Sequence, residues 1–139
     1  MNKLKTGVIG CGKVGHLHAR ALKNLSMSEF SGACGRDLAK TSAFASQYGV
    51  KPYTSVADMA KDGVEAVCVC TPHPNHAQAA VEAARCGMHV LVEKPLAASL
   101  IDCDAMIKAA KENGVKLGTV CQRRFYRPSM RIKKAIDDG

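Results

Sequence analysis

Residues 6–21 read TGVIGCGKVGHLHARA, and this stretch decides how the chain folds. Val8 and Ile9 close a short apolar run. Gly10, Cys11, Gly12, Lys13, Val14 and Gly15 then spell G-x-G-x-x-G. A helical pattern follows at once, with Val14, Leu17, Ala21, Leu22 and Leu25 as its apolar face. Strand, glycine turn and helix in that order are the context in which this spacing holds a dinucleotide. Gly10 permits the tight turn, Gly12 lets the backbone approach a pyrophosphate, and Gly15 lets the helix close on the strand. The helix start then offers free N–H groups and partial positive charge to phosphates. The chain has 12 glycines, so the spacing alone is easily matched by chance; the flanking strand and helix carry the reading.

Outward from this stretch, apolar runs and helical patterns alternate. The runs are 4–9, 30–34, a short piece at 52–53, 64–70, 88–92 and 115–121. Asp37 is placed to cap a helix running to Tyr48, with Gly49 beyond it. Ser55 with Asp58, Asn75 with Gln78, and Ser99 with Asp102 each resemble a capping box. Gly87 and Gly114 stand where left-handed caps belong. The runs VEAVCVC and MHVLV are nearly continuously apolar, as strands covered on both faces tend to be. The expected fold is α/β, a doubly wound parallel sheet of order 3-2-1-4-5-6. It is expected to fill residues 1–121. Residues 122–139 break the alternation and read as a basic loop and a terminal helix. Pro128 opens that helix, and Ile132, Ala135 and Ile136 give it an apolar face with little to cover. This exposed underside is expected to make the chain self-associate as a homo-oligomer.

At 139 residues the chain is one domain by length. No apolar run approaches the ~20 residues of a membrane span, and the basic start lacks the apolar stretch of a signal peptide. Cys34, Cys68 and Cys70 lie in apolar runs, which suggests buried reduced thiols and a cytoplasmic protein. There is no C-x-x-C, His16 and His18 do not share a helix face, and His73 and His76 lack a third ligand, so no metal site is expected. The net charge is +8, and the basic side chains between Lys116 and Lys134 stand without an acid among them. A nucleic-acid footprint is one reading; a solvated face with a few phosphate contacts is the favoured one. With three Phe, three Tyr and no Trp, a base-stacking platform is poorly supplied.

A second motif, Glu93-Lys94-Pro95, follows the fifth run. Ligands of such sheets sit beyond the C-terminal strand ends near the switch point, so Lys94 is expected on the same edge as the glycine turn. There, in a largely apolar surround, it would be partly desolvated; the alternative is a surface lysine before a turn. The stretches GVIGCGKVGHLHARAL, ACGRD, TPHPNHAQAAVEAARCGMHVLVEKPLA and QRRFYRP together resemble the N-terminal domain of the Gfo/Idh/MocA oxidoreductases. The resemblance covers nearly the whole chain. It implies an NAD(P)-dependent oxidoreductase of sugars, cyclitols or similar polyols. It also implies that Gly10, Gly12 and Gly15 hold the pyrophosphate, and that Thr71 and Pro72 line the cofactor on its nicotinamide side. His76 would lie at the following helix start, as a cofactor-site or supporting residue. Glu93 and Lys94 would stand at the nicotinamide, with Lys94 as the catalytic contact to the reacting hydroxyl. Gln122 and Arg124 would sit close to the cofactor.

Two departures from the family pattern matter. The acid expected after the second strand is replaced in Gly35-Arg36-Asp37. With the acid gone and room left by Gly35, Arg36 is expected to meet a 2′-phosphate, so NADP is the favoured cofactor and NAD the alternative. The family's second, substrate-binding domain is also missing from the sequence read. The 139 residues alone are therefore expected to bind cofactor without turnover. Two further readings stay open: a non-catalytic NADP(H)-binding sensor or partner module, and, more distantly, a basic nucleic-acid-binding domain.

Overall fold

The computed structural model describes residues 3–139. Six parallel strands form one sheet: β1 (Leu4–Ile9), β2 (Ser28–Cys34), β3 (Lys51–Tyr53), β4 (Ala66–Val69), β5 (His89–Val92) and β6 (Leu117–Thr119). Their order is β3-β2-β1-β4-β5-β6, as the alternation of runs and helical patterns predicts. Helices α1 (Lys13–Asn24), α2 (Leu38–Tyr48), α3 (Val56–Lys61), α4 (His76–Arg85) and α5 (Leu100–Glu112) make the crossovers, and α6 (Arg127–Asp137) follows the last strand. Short 3-10 turns precede α4 at His73–Asn75 and α6 at Gln122–Phe125.

Strand alternation divides the core. Val8, Ala33, Cys68 and Cys70 pack with Ala19, Phe44, Ala45 and Tyr48 from α1 and α2. The intervening Ile9, Cys34, Val67 and Val69 join Val90 and Val92 against Met59, Met88, Met106 and the alanines of α4. The three methionines are at most 1% exposed, and truncating any one of them to alanine would cost about 2–5 kcal/mol.

Local capping signals agree with the structure at three of four helix starts. The side chains of Asp37, Ser55 and Ser99 accept the backbone N–H of Lys40, Asp58 and Asp102. Gly49, Gly87 and Gly114 are left-handed at the expected helix ends. Asn75 differs, because its side chain caps nothing. The 3-10 turn opened by Pro72 takes its place, and the His76 N–H reaches the His73 carbonyl instead.

The apolar face assigned to α1 is also corrected. Gly15 and Ala19 point inward and Leu22 of the expected face packs partly against the core, while Leu17 and Leu25 are 58% and 55% exposed, and Val14 and Ala21 are exposed too. The cause is the glycine turn. A Cβ at Gly15 would collide with the Gly10 carbonyl, so position 15 must face the strand and the rest of the helix is rotated accordingly. Strand extents differ as well. β2 begins at Ser28, whose hydroxyl bonds Thr6 Oγ1 at 2.7 Å, and β6 shrinks to three residues. β5 is not covered on both faces, since Leu91 is 39% exposed.

Candidate cofactor site

The sheet order reverses between β1 and β4, and a cleft of about 730 Å³ opens beyond the strand ends there. That is within the usual ~300–1,000 Å³ of a ligand pocket. Backbone bonds carry the ladder past the strands and fix the loops that form the cleft. Gly10 N donates to Cys34 O at 2.9 Å, Gly35 N to Tyr53 O at 3.0 Å, and Cys70 N to Ile9 O at 2.7 Å.

The glycine turn supplies one wall. Gly10 has φ +107°, and a Cβ there would lie 2.6 Å from the Cys70 carbonyl carbon. Gly12 is the opposite case: a Cβ built on it meets nothing within 4 Å, so backbone stands bare toward open space. Gly12 also precedes α1 without a side-chain cap, and the first turn of α1 carries no acid. Its leading N–H groups therefore have no intrahelical partner and favour an anion. Across the cleft, Thr71 Oγ1 is buried and is left without a hydrogen-bond partner among the described residues. An orphan hydroxyl, bare backbone and a free helix start fit a dinucleotide's phosphates and sugars.

Charge is concentrated at the β2 end. Arg36 and Lys40 line the cleft there, and Lys13 lines it at the glycine turn. Asp37 is committed to its own helix through the Lys40 amide at 3.1 Å. Gly35 does not leave room, contrary to the reading of the sequence. A Cβ at that position would stand 2.5 Å from Thr41 Oγ1, which bonds the Asp37 carbonyl at 2.7 Å. The opposite wall is Asn75, from the preceding 3-10 turn, with the Gln78, Ala79 and Glu82 face of α4.

The cleft thiols are chemically quiet. Burial pushes Cys34 up to about 11, with further contributions from Cys11 and Glu82. Burial likewise raises Cys11 and Cys70. Thiols held protonated at neutral pH are poor nucleophiles. Among the described residues no cluster of His, Cys, Asp and Glu is arranged to hold a metal ion.

Of the residues singled out in the sequence, Gly10, Cys11, Gly12, Lys13, Val14, Arg36, Thr71 and Pro72 meet in this cleft. Gly15 lies beneath it, against the Gly10 carbonyl. His76 is corrected as a cofactor contact: it has no exposed surface, and its ring nitrogens face the carbonyls of Pro95 and Thr71 at 2.8 and 2.9 Å. Glu93 and Lys94 follow β5 and do not line the cleft. The apolar surround expected for Lys94 is not there, since the residue is exposed. Gln122 and Arg124 are exposed in the turn after β6, also outside the cleft.

Sequence reasoning missed His18, Thr41, Lys40, Gln78 and Glu82. The spacing of Gln78 and Glu82 on one helix face beside the Thr71 loop was the available signal for those two. His18 had none, because its partner Glu93 is 75 residues away.

Residues 4–120 match the oxidoreductase family described as having an NAD-binding Rossmann fold. Inositol 2-dehydrogenase of Rhizobium meliloti (strain 1021) is 31% identical over 136 residues, covering 98% of this chain and 41% of that protein. 4-Carboxy-2-hydroxymuconate-6-semialdehyde dehydrogenase of a Sphingobium species is 34% identical over 138 residues, covering 98% of this chain and 44% of that protein. Among solved structures, the WlbA dehydrogenase from Bordetella pertussis, in complex with NADH and UDP-GlcNAcA, matches with a TM-score of 0.92 at 33% identity over 99% of this chain and 43% of that one. The chain thus spans about two fifths of the length of these curated relatives.

Proposed function

Because the chain belongs to the Gfo/Idh/MocA oxidoreductase family, we propose that its cleft binds NADP(H) in preference to NAD(H). The protein would pass a hydride between that cofactor and the CH–OH group of a sugar, cyclitol or similar polyol. The observation that carries the cofactor reading is the bare backbone at Gly12 beside an uncapped helix start. A pyrophosphate laid there meets N–H donors and helix-end positive charge without a side chain between. The choice of NADP(H) rests on Arg36. No acid stands at position 35 to hold a ribose 2′-hydroxyl, and the Asp37 carboxylate is bound to its own helix. Arg36 and Lys40 line this end of the cleft and would offer cationic groups to a 2′-phosphate; the Lys40 ammonium also lies 3.9 Å from Asp37 Oδ2, and the planar fork of Arg36 suits a phosphate.

The nicotinamide, when bound, supplies the hydride chemistry. The chain's own part is binding and orientation. Thr71 Oγ1, which has no hydrogen-bond partner among the described residues, would bond the cofactor's sugar side. Lys94, exposed at the end of β5, would orient a substrate hydroxyl and ease loss of its proton as the carbonyl forms. Gln122 and Arg124 follow the adjacent strand β6 and would close the same end of the sheet. The exposure of Lys94 outside the cleft also favours a second reading, a binding module without turnover. A polyol screen on the longest chain carrying these residues separates the two: turnover lost in Lys94→Ala supports the enzyme, and cofactor binding with no polyol oxidised supports the module.

The cofactor reading is tested at Gly12. Gly12 has an ordinary backbone conformation and open space around a Cβ, so Gly12→Val leaves the fold intact. The added side chain occupies the pyrophosphate's place. NADPH affinity, followed by nucleotide fluorescence, is expected to fall at least about tenfold with the melting temperature unchanged. Unchanged affinity in a folded Gly12→Val chain would place the cofactor elsewhere.

A further inference from the structure

Lys94 sits between two residues that are each held by a histidine from a different helix. On one side, Glu93 Oε1 accepts from His18 Nε2 of α1 at 2.9 Å, and both side chains are 16% exposed. The other carboxylate oxygen, Glu93 Oε2, accepts the backbone N–H of Lys94 itself at 3.1 Å. On the other side, the Pro95 carbonyl lies 2.8 Å from Nδ1 of the fully buried His76 of α4. The second ring nitrogen of His76 faces the Thr71 carbonyl at 2.9 Å.

These contacts join Lys94 to the cleft. His18 is on the helix that grows from the glycine turn, and the buried ring of His76 stands between the Pro95 carbonyl and the carbonyl of Thr71, its single N–H in the neutral ring donating to one of the two. A lysine side chain is long and rotamer-rich, so its reach is set by where its backbone is pinned. Glu93 presents a carboxylate that only accepts, so His18 Nε2 must carry the proton in this contact. The same carboxylate then pins the Lys94 amide through a charge-assisted bond.

We propose that His18 is a positioning residue for Lys94, acting through Glu93, with His76 fixing the following residue. Together they set the Lys94 backbone relative to both cofactor loops. The inference rests on Lys94 as the group that meets the substrate, but its test does not depend on cofactor binding.

The test is amide hydrogen exchange by NMR on the 139-residue chain without nucleotide, comparing the unmodified protein with His18→Ala and His18→Gln. The Lys94 amide is expected to exchange about tenfold faster in His18→Ala, the scale of losing one hydrogen bond held by a charged group. The core amides of Val69 and Val92 are expected to keep their rates. His18→Gln retains an N–H donor and is expected to restore most of the protection. A purely stabilising role for His18 would instead speed Lys94 and the core amides together. That outcome, or an unchanged Lys94 rate in His18→Ala, would overturn the proposal. Should His18→Ala fail to fold, His18→Phe, which keeps a ring but removes the Nε2 donor to Glu93, gives the same comparison: faster exchange confined to Lys94 supports the proposal, and an unchanged rate, or faster exchange at Lys94 and the core amides together, overturns it. Failure of NADPH to bind in a separate titration would count against the cofactor reading and leave this result standing.

Discussion

At the scale of single residues, Gly35 and Arg36 make the sharpest statement about specificity. Replacing Arg36 with alanine is expected to weaken NADPH about ten- to a hundredfold, the scale of one charge-assisted contact, while NADH changes little. Paired fluorescence titrations measure both. Gly35→Asp is a different case. Its Cβ would stand 2.5 Å from Thr41 Oγ1, so the single change should cost about 1–3 kcal/mol of stability in urea unfolding. Gly35→Asp combined with Thr41→Ala removes that clash and is expected to turn the preference toward NADH; continued NADPH preference in a folded double variant would contradict the ribose argument. The fingerprint glycines and Arg36 were legible in the sequence because their geometry is set within a few residues. The obstruction at Gly35 was not, because it comes from a hydroxyl on the next helix. The His18–Glu93 contact was hidden for the same reason, as it spans 75 residues.

At the scale of elements, the helix starts separate side-chain capping from other ways of satisfying backbone. Asp37→Ala and Ser99→Ala each remove an accepted N–H bond and are expected to cost about 1 kcal/mol in thermal unfolding. Asn75→Ala is expected to change stability by less than about 0.5 kcal/mol, because the 3-10 turn from Pro72 already uses the orphan N–H groups. A loss at Asn75 equal to that at Asp37 would refute the assignment. Strand order and helix existence could be read from periodicity, since each run needs only its own neighbours. The buried face of α1 could not. Val14, Leu17, Ala21 and Leu25 are exposed while Leu22 packs only partly on the core, because Gly15 must pack on the turn, and that one contact outweighed most of the hydrophobic pattern.

At the scale of the whole molecule, two properties follow from where groups are buried. Helix α6 contributes no buried residue, and Ile132 and Ile136 are 62% and 70% exposed. Trypsin is therefore expected to cut first between Arg123 and Lys134, leaving a core through β6 that still binds nucleotide. Protection of this segment at high protein concentration would show that self-association covers it. The second property is alkaline sensitivity. Burial raises Cys34 to about 11 and Cys68 to about 12, and burial with the Asp62 contact raises Tyr53 to about 12. A raised acid is neutral in the fold, so its contribution is complete below the ordinary value and is lost as pH rises toward the folded one. Urea midpoints are expected to hold between about pH 6 and 8 and to fall above about pH 9. The central claim is that the cleft between β1 and β4 takes a nicotinamide dinucleotide and selects its 2′-phosphate. The most direct measurement is a side-by-side titration of the unmodified 139-residue chain with NADPH and NADH at fixed ionic strength. The expected result is saturable binding with NADPH about ten- to a hundredfold tighter. Equal affinities, tighter NADH, or no saturable binding of either would contradict it.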